Sequence, residues 1–416
     1  TVFLAPLREW MSQTGVAPAY SLFLYGKTQT RKSTLAALAM SHFGNWHAKN
    51  APANFHSTGN SISRMGFICK DAPFWVDDFH PSGSQQEKRQ MNATAQRLAR
   101  AFGDGAERGR LNADGSLQKA RPPRSVAIIT GEDLPDVGAS GLARFFILNV
   151  ERKDTQMAID DGTMTELQED ARKGWLQKNM RGYIEWLAGN AKELPEYLHG
   201  KFVTYRDAAR KIGSGDQERA PEAIACIMLG YNMMLSYYQH IGLFGAEKGK
   251  AMFTEAMRAL TEASRQQSRD MESEKPTRIF LDTLSEMLAT RRVWAKDLVI
   301  ESEKNPYSSD NMVGWRDNEY YYLLPNMAYK EVSRVCREEG HDFPVSLKAL
   351  YKHLREEGVV TGVKDGEPVS RPKYIDGKTV RVVRIPAKEL DGDKADVQME
   401  MQMTAVDGNG LPEEWT

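Results

Sequence analysis

SLFLYGKTQTRKSTLAALAMSHFGNW, from Ser21 to Trp46, is an apolar run, a loop opening at Gly26, the pair Lys32-Ser33, and then a helical pattern. That order suits a loop that holds phosphate groups. A strand fixes the loop, backbone N–H groups wrap the anion, and the following helix points the positive end of its dipole at it. Such a loop would bring Gly26, Thr28, Gln29, Thr30, Arg31, Lys32, Ser33 and Thr34 to a nucleotide. Lys32 would reach the β- and γ-phosphates, and the Ser33 hydroxyl would hold Mg²⁺. One position departs from the G-x-x-x-x-G-K-[ST] pattern, because Arg31 stands where the second glycine is usual. A Lys/Thr-rich turn that merely opens a helix can carry similar letters, so the segment needs company.

Company comes in APFWVDDFH, from Ala72 to His80, where the apolar strand Phe74-Trp75-Val76 ends in the carboxylates Asp77 and Asp78. An ATPase needs a buried strand that delivers acids at its C-terminal end, opposite the phosphate loop. Asp77 would bind the Mg²⁺ hydration shell, and Asp78 would orient the attacking water as general base. Alone, an Asp-Asp pair is as often an acidic surface turn. In SVAIITGEDLP, Ser125 to Pro135, the mostly β-branched run Val126 to Ile129 ends in the polar Thr130, the pattern of a strand whose last residue senses the γ-phosphate or its water. ASGLARFFILNV, Ala139 to Val150, then sets Arg144 just ahead of another apolar run. That arginine is either an ordinary surface residue or a finger that neutralises transition-state charge in a neighbouring subunit.

These four pieces occur in the order and spacing of an AAA+ module. More narrowly, the chain resembles the helicase domains of phage and integrative-element replication proteins, including the mini-chromosome-maintenance-like, self-loading helicases of staphylococcal cassette and island elements. The residues that carry the resemblance are GKTQTRKST, FHSTGNS from Phe55 to Ser61, FWVDDFH, FGDGAERGRLNADGSLQ from Phe102 to Gln118, ITGEDLP and SGLARFF. They span most of the ATPase portion and little of the chain beyond it. Mini-chromosome-maintenance loops also lack the second glycine, so Arg31 is in keeping with that family.

The resemblance also gives a meaning to ERGRLNADGSLQKARPPR, Glu107 to Arg124. Its two short arms flank the turn signal Asn112-Ala113-Asp114-Gly115 and carry Arg108, Arg110 and Lys119. In hexameric helicases a basic hairpin at this place grips the DNA backbone inside the pore. The plainer alternative is a solvated hairpin with ordinary charges.

Composition sets outer limits. The 416 residues suffice for two or three domains, and 41% apolar with 27% charged residues is ordinary for a globular protein. The formal charge of −1 gives nucleic-acid binding no support in bulk, although the tail Asp391 to Thr416 is acidic and leaves the rest mildly basic. Cys69, Cys226 and Cys336 lie far apart without metal-ligand spacing and read as reduced, packed thiols. With no signal peptide and no apolar stretch near eighteen residues, the expectation is a cytoplasmic protein with no membrane span. An immediate apolar start suggests a piece of a longer protein.

Beyond Arg152 the periodicity becomes helical: Met164 to Ala188, Glu193 to Lys211 and Ala220 to Phe244 read as helices. This would be the helical lid of the AAA+ module. By resemblance, Arg219, at the first turn of its most apolar helix, is a candidate second sensor of the γ-phosphate; a helix-cap surface arginine is the alternative. Glu274 to Pro276 reads as a domain boundary. From there come helix Thr277 to Ala289, an irregular polar loop through Asn311, strand-like EYYYLLP, helices Asn326 to Glu339 and Ser346 to Gly358, and a basic hairpin. Two helices followed by a two-stranded wing is the order of a winged helix. Lys348 and Lys352 on the recognition helix, with Arg371 and Lys373 on the wing, are its candidate DNA contacts.

The sequence therefore predicts an α/β AAA+ P-loop ATPase core (1–152), a helical lid with connecting helices (153–275), a C-terminal winged-helix domain (276–388) and an acidic, flexible tail (389–416). ATP and Mg²⁺ are the expected cofactors. Lys32, Ser33, Asp77, Asp78 and Thr130 would come from one subunit and Arg144 from the next in a ring, a hexamer, that moves along DNA. An initiator or loader that melts or marks an origin without processive unwinding, and a nucleotide-switched DNA-binding regulator, are the rival readings.

Overall fold

A computed structural model of the chain describes residues 1–105, 114, 116, 119–212, 219–273, 275–299, 311–339, 342–364 and 367–391. It divides into two compact units, the first Thr1–Met271 and the second beginning at Glu272. The basic-hairpin residues Arg108 and Arg110 lie outside the described residues, as does the acidic tail beyond Asp391.

The first unit is built on a five-stranded parallel sheet of β1 (Ser21–Tyr25), β2 (Ala53–Asn54), β3 (Pro73–Phe79), β4 (Val126–Gly131) and β5 (Phe145–Asn149), in the order β2-β3-β4-β1-β5. Helices α1 (Arg8–Gln13), α2 (Lys32–Met40), α3 (Gly59–Ile68), α4 (Gln85–Gly103) and α5 (Gly138–Leu142) accompany it. The central strands are apolar on both faces because helices cover both. Phe74, Val76, Ala127 and Ile129 pack with Ile62 of α3 and Leu98 and Phe102 of α4. The alternate residues Trp75 and Ile128 pack with Ala36, Ala37 and Met40 of α2. Doubly covered parallel strands read as unbroken apolar runs, which is why β1, β3 and β4 stand out in the sequence. Helix α4 starts from a capping box, in which the Ser84 hydroxyl accepts from the Glu87 N–H and the Glu87 carboxylate from the Ser84 N–H.

A helical layer comes next: α6 (Arg152–Asp160), α7 (Thr163–Arg172), α8 (Trp175–Gly189), α9 (Leu194–Ile212), α10 (Arg219–His240) and α11 (Ala246–Ser273). Tyr183, Leu198 and Met228 from this layer share one core with Leu4 and Leu7 near the start of the chain. The single helix expected from Met164 to Ala188 is two. Gly174 sits between α7 and α8 with φ of 80°, a backbone state that continues no right-handed helix.

In the second unit, α12 (Pro276–Ala289), α13 (Pro325–Glu338) and α14 (Leu347–Glu356) accompany a five-stranded sheet of β6 (Trp294–Asp297), β7 (Met312–Arg316), β8 (Tyr320–Leu323), β9 (Arg371–Ile375) and β10 (Lys378–Pro386), in the order β6-β7-β8-β10-β9. Its core joins Phe280 and Leu284 of α12, Val332 of α13 and Leu350 and Leu354 of α14 to Val383 and Ile385 of β10. Ser346 caps α14 through its hydroxyl, which accepts from the Ala349 N–H. The polar loop expected before Asn311 conceals β6, and β7 lies just after it. The β9–β10 hairpin turns at Asp376-Gly377, both with positive φ. It is not a free two-stranded wing, because the far end of β10 pairs with β8, Val383 opposite Leu323.

Candidate functional site

The chemistry-bearing residues of the first unit meet where β1, β3 and β4 end. Strand β1 runs out at Tyr25, and Gly26 turns the chain with φ of 154°. A Cβ at Gly26 would lie 2.3 Å from the Val150 carbonyl oxygen, so only glycine lets the loop start this close to the end of β5. Within the loop, Gln29 and Arg31 have φ of 69° and 67°. Arg31 is the residue before α2, in the left-handed state that a glycine there adopts freely. The missing glycine is thus replaced in geometry, at a cost of about 1–2 kcal/mol, while the Arg31 side chain stays exposed.

Lys32 opens α2 and folds back over the loop. Its ammonium donates to the carbonyls of Gly26 (2.6 Å) and Lys27 (2.8 Å) and to Thr30 Oγ1 (3.3 Å). Burial depresses the Lys32 pKa, and the charges of Glu132, Asp77 and Asp78, in that order, oppose the fall. All three ammonium hydrogens are thus directed at loop oxygens, and a phosphate chain docking at this helix N-terminus would exchange for them.

Asp77, near the end of β3, is the hub of the acid side. Its Oδ1 accepts from the Ser33 hydroxyl at 2.9 Å and from the Thr130 hydroxyl. Thr130 Oγ1 in turn accepts from Trp75 Nε1 at 3.2 Å. Thr130 is 1% exposed, so its hydroxyl is committed to holding Asp77. A β-bulge between Val76 and Phe79 contains Asp78, which has φ of 64° and an exposed side chain. Successive residues of a regular strand face opposite ways, and the bulge turns both acids to the same cavity. That cavity, of about 250 Å³, is lined by Lys32, Ser33, Asp77 and Asp78 with Thr28, Gln29, Arg31, Thr34 and Thr130.

Glu132 also lines it, and the sequence reading passed over that residue. Its Oε1 accepts from the Thr28 hydroxyl at 2.7 Å, and its N–H donates to the Phe79 carbonyl at 3.0 Å. The only signal in the sequence is its place two residues after Thr130. No cluster of three or more metal-ligating side chains occurs among the described residues. Mg²⁺ carried on a substrate's phosphates needs just one or two protein oxygens, and Ser33 Oγ beside Asp77 is such a pair.

The two arginines singled out in the sequence lie elsewhere. Arg144 directly precedes β5, and the parallel register Ser21↔Phe145 sets it at the N-terminal end of the sheet. The loop is at the C-terminal end, roughly 20 Å away along six residues of extended chain. Arg144 Nε donates to both oxygens of Asp104, at 3.0 and 3.1 Å. Arg219, the first residue of α10, donates to Asp104 Oδ1 at 2.9 Å and to the Gly103 carbonyl at 3.1 Å. The Arg144 side chain crosses Gly103 so closely that a Cβ there would stand 2.8 Å from its Cγ.

Of the other candidates, Lys119 is exposed. In the second unit Lys348 is exposed, Lys352 faces Glu356 at 3.6 Å and Arg371 pairs with Glu367. The Lys373 ammonium lies 3.5 Å from the centre of the Tyr322 ring. Among the described residues no helix is long and apolar enough to cross a membrane.

No family model matches the chain. No curated protein matches it either. Its fold is similar to that of a solved structure described as "SCCmec type IV Cch - active helicase", with a TM-score of 0.56 and 12% identity over 95% of this chain and 68% of that one. At that identity the likeness concerns the fold.

Proposed function

We propose that the chain is an AAA+ ATPase that assembles head-to-tail as a ring, a hexamer, and moves along DNA to separate its strands during replication of a mobile element or phage. The observation that carries this reading is the separation of Arg144 from the loop cavity. An arginine just ahead of β5 lies too far from its own chain's loop to reach phosphates held there, and a neighbouring copy stacked head-to-tail would bring the two together. The likeness in fold to a structure described as an active helicase agrees with it.

In this reading the loop amides and Lys32 bind the phosphates of ATP, and Ser33 with Asp77 holds Mg²⁺, which when bound neutralises phosphate charge. Thr130 fixes the Asp77 carboxylate, and Asp78 is the acid that the sequence offers to the attacking water. Arg144 of the next copy meets the charge that develops on the γ-phosphoryl group. Arg219, held on Asp104 beside Arg144, would act as the second sensor toward the same neighbour's phosphate. The basic segment with Arg108, Arg110 and Lys119 contacts single-stranded DNA in the pore, and the second unit, taken as a winged helix, meets duplex through Lys348, Lys352, Arg371 and Lys373.

The test is ATP hydrolysis by the wild type and by Arg144→Ala, with and without single-stranded DNA, at concentrations where light scattering shows rings. DNA-stimulated turnover that disappears in the variant while nucleotide still binds is the expected result. Turnover indifferent to both DNA and Arg144 would instead fit a nucleotide-switched regulator.

A further inference from the structure

Three carboxylates face the loop cavity: Asp77, Asp78 and Glu132. Asp77 is committed to Ser33 and Thr130 and sits where a metal-bound phosphate would be held. That leaves two acids for the attacking water. We propose that Glu132, rather than Asp78, takes the proton of that water, a step that rests on the cavity being a site of ATP hydrolysis.

A general base needs a fixed position within hydrogen-bond reach of its proton. Glu132 has such a position. Its backbone is pinned by the N–H donated to Phe79, and one carboxylate oxygen is held by Thr28, a residue of the phosphate loop itself. The Thr28 bond ties the carboxylate to the same loop that would hold the phosphates. The other oxygen, Oε2, lies 3.8 Å from His80 Nδ1, which pairs with Asp133 at 2.9 Å on the solvent side. Asp78 lines the same cavity but is exposed, on a bulge, with no hydrogen-bond or ion-pair partner among the described residues.

The step balances without a further reactant. Water oxygen forms a bond to the γ-phosphorus as one of its protons passes to Glu132. The bond from that phosphorus to the β–γ bridging oxygen breaks, and its electron pair leaves with ADP. Protonated Glu132 then returns its proton to the released phosphate or to solvent. The competing role for Glu132 is mechanical, a tether that merely shapes the loop through Thr28.

The two roles part in the full-length protein when ATP binding, by calorimetry, and turnover are measured together for the wild type, Lys32→Ala, Glu132→Gln, Asp78→Asn and Thr28→Val. Glu132→Gln should lower kcat by about 100-fold or more and leave the ATP Kd within about threefold of wild type. Bound nucleotide recovered from it after gel filtration should be intact ATP. Asp78→Asn should lose less, and Thr28→Val, which loosens the carboxylate but leaves it present, should fall between. Should Glu132→Gln fail to fold by circular dichroism, Glu132→Asp keeps the charge, draws it back by one methylene and faces the same kcat criterion. The assignment is overturned if Asp78→Asn takes the larger loss of kcat. Glu132→Gln and Thr28→Val weakening ATP binding alike, with no separate loss of kcat, would overturn it in favour of the tether. A wild type without turnover, or turnover that survives Lys32→Ala, removes hydrolysis at this cavity and the base with it.

Discussion

Arg144 and Arg219 close on one carboxylate, that of Asp104, from 40 residues downstream in one case and 115 in the other. One carboxylate thereby holds the two guanidiniums side by side. If both serve a neighbour's phosphates, two inactive proteins should repair each other. Lys32→Ala lacks the loop amine and Arg144→Ala lacks the finger, and each alone should be inactive. An equal mixture should recover about a quarter of the wild-type rate, since one interface in four joins an intact loop to an intact arginine. A mixture as inactive as its parts would place the finger's action within one chain.

Acid should loosen this cluster. Burial by itself would push the Asp104 carboxyl up, but the Arg144 and Arg219 guanidiniums outweigh it and hold the group below its ordinary value of 3.8. A depressed folded-state pKa means that the stabilisation is fully present above about pH 4 and is lost as pH falls through the folded value. Asp104→Asn should therefore cost about 1 kcal/mol in urea denaturation at pH 7, after allowance for solvent screening. The difference from wild type should shrink below pH 4. A difference unchanged at pH 3 would contradict the ion pairing.

Arg31 allows a test of backbone strain apart from chemistry. Its left-handed backbone should make Arg31→Gly neutral or stabilising by up to about 1 kcal/mol, whereas Arg31→Val, with a β-branched side chain at positive φ, should destabilise by about 1–2 kcal/mol. Thermal and urea unfolding read both. If Arg31→Gly also leaves ATP affinity unchanged, the guanidinium has no part in phosphate binding.

Thr130 should prove a positioning residue. Thr130→Val keeps the shape but strips the hydroxyl that joins Trp75 to Asp77, leaving a buried indole N–H unpaired at a cost of about 1–3 kcal/mol. Turnover should fall with ATP binding, read by calorimetry, largely kept.

How far the sequence is legible depends on where its signals are local. The parallel strands β1, β3 and β4 are covered on both faces, so each is a short apolar block, with Asp77 and Thr130 near the ends of β3 and β4 and Lys32 just past the loop that follows β1, and the adjacency of the strands brings the three to one cavity. Strands β6 and β7 carry no such block. Trp294–Asp297 is half polar with no buried position, and Met312–Arg316 is a short apolar piece interrupted by Gly314, so both pass for loop. Glu132 escaped notice because it lies just past a strand end, where an acidic residue usually means a surface turn. Asp104 could not be read at all, since its two partners are distant in the chain and no periodicity links them.

If Arg144 serves a neighbour's cavity, the parallel pairing of β1 with β5 also limits which symmetries would be of use. Loop and Arg144 lie at opposite ends of one sheet, so each copy has two unlike faces. A two-fold dimer would set like against like, loop to loop or arginine to arginine, and leave every cavity without its partner. Only a heterologous contact, each copy's arginine end against the next copy's loop end, would fill them, and such contacts would continue until a rotation closed them or run on as an open spiral. In an open spiral the last loop would stay uncompleted, and in the proposed ring one broken interface would likewise silence one cavity.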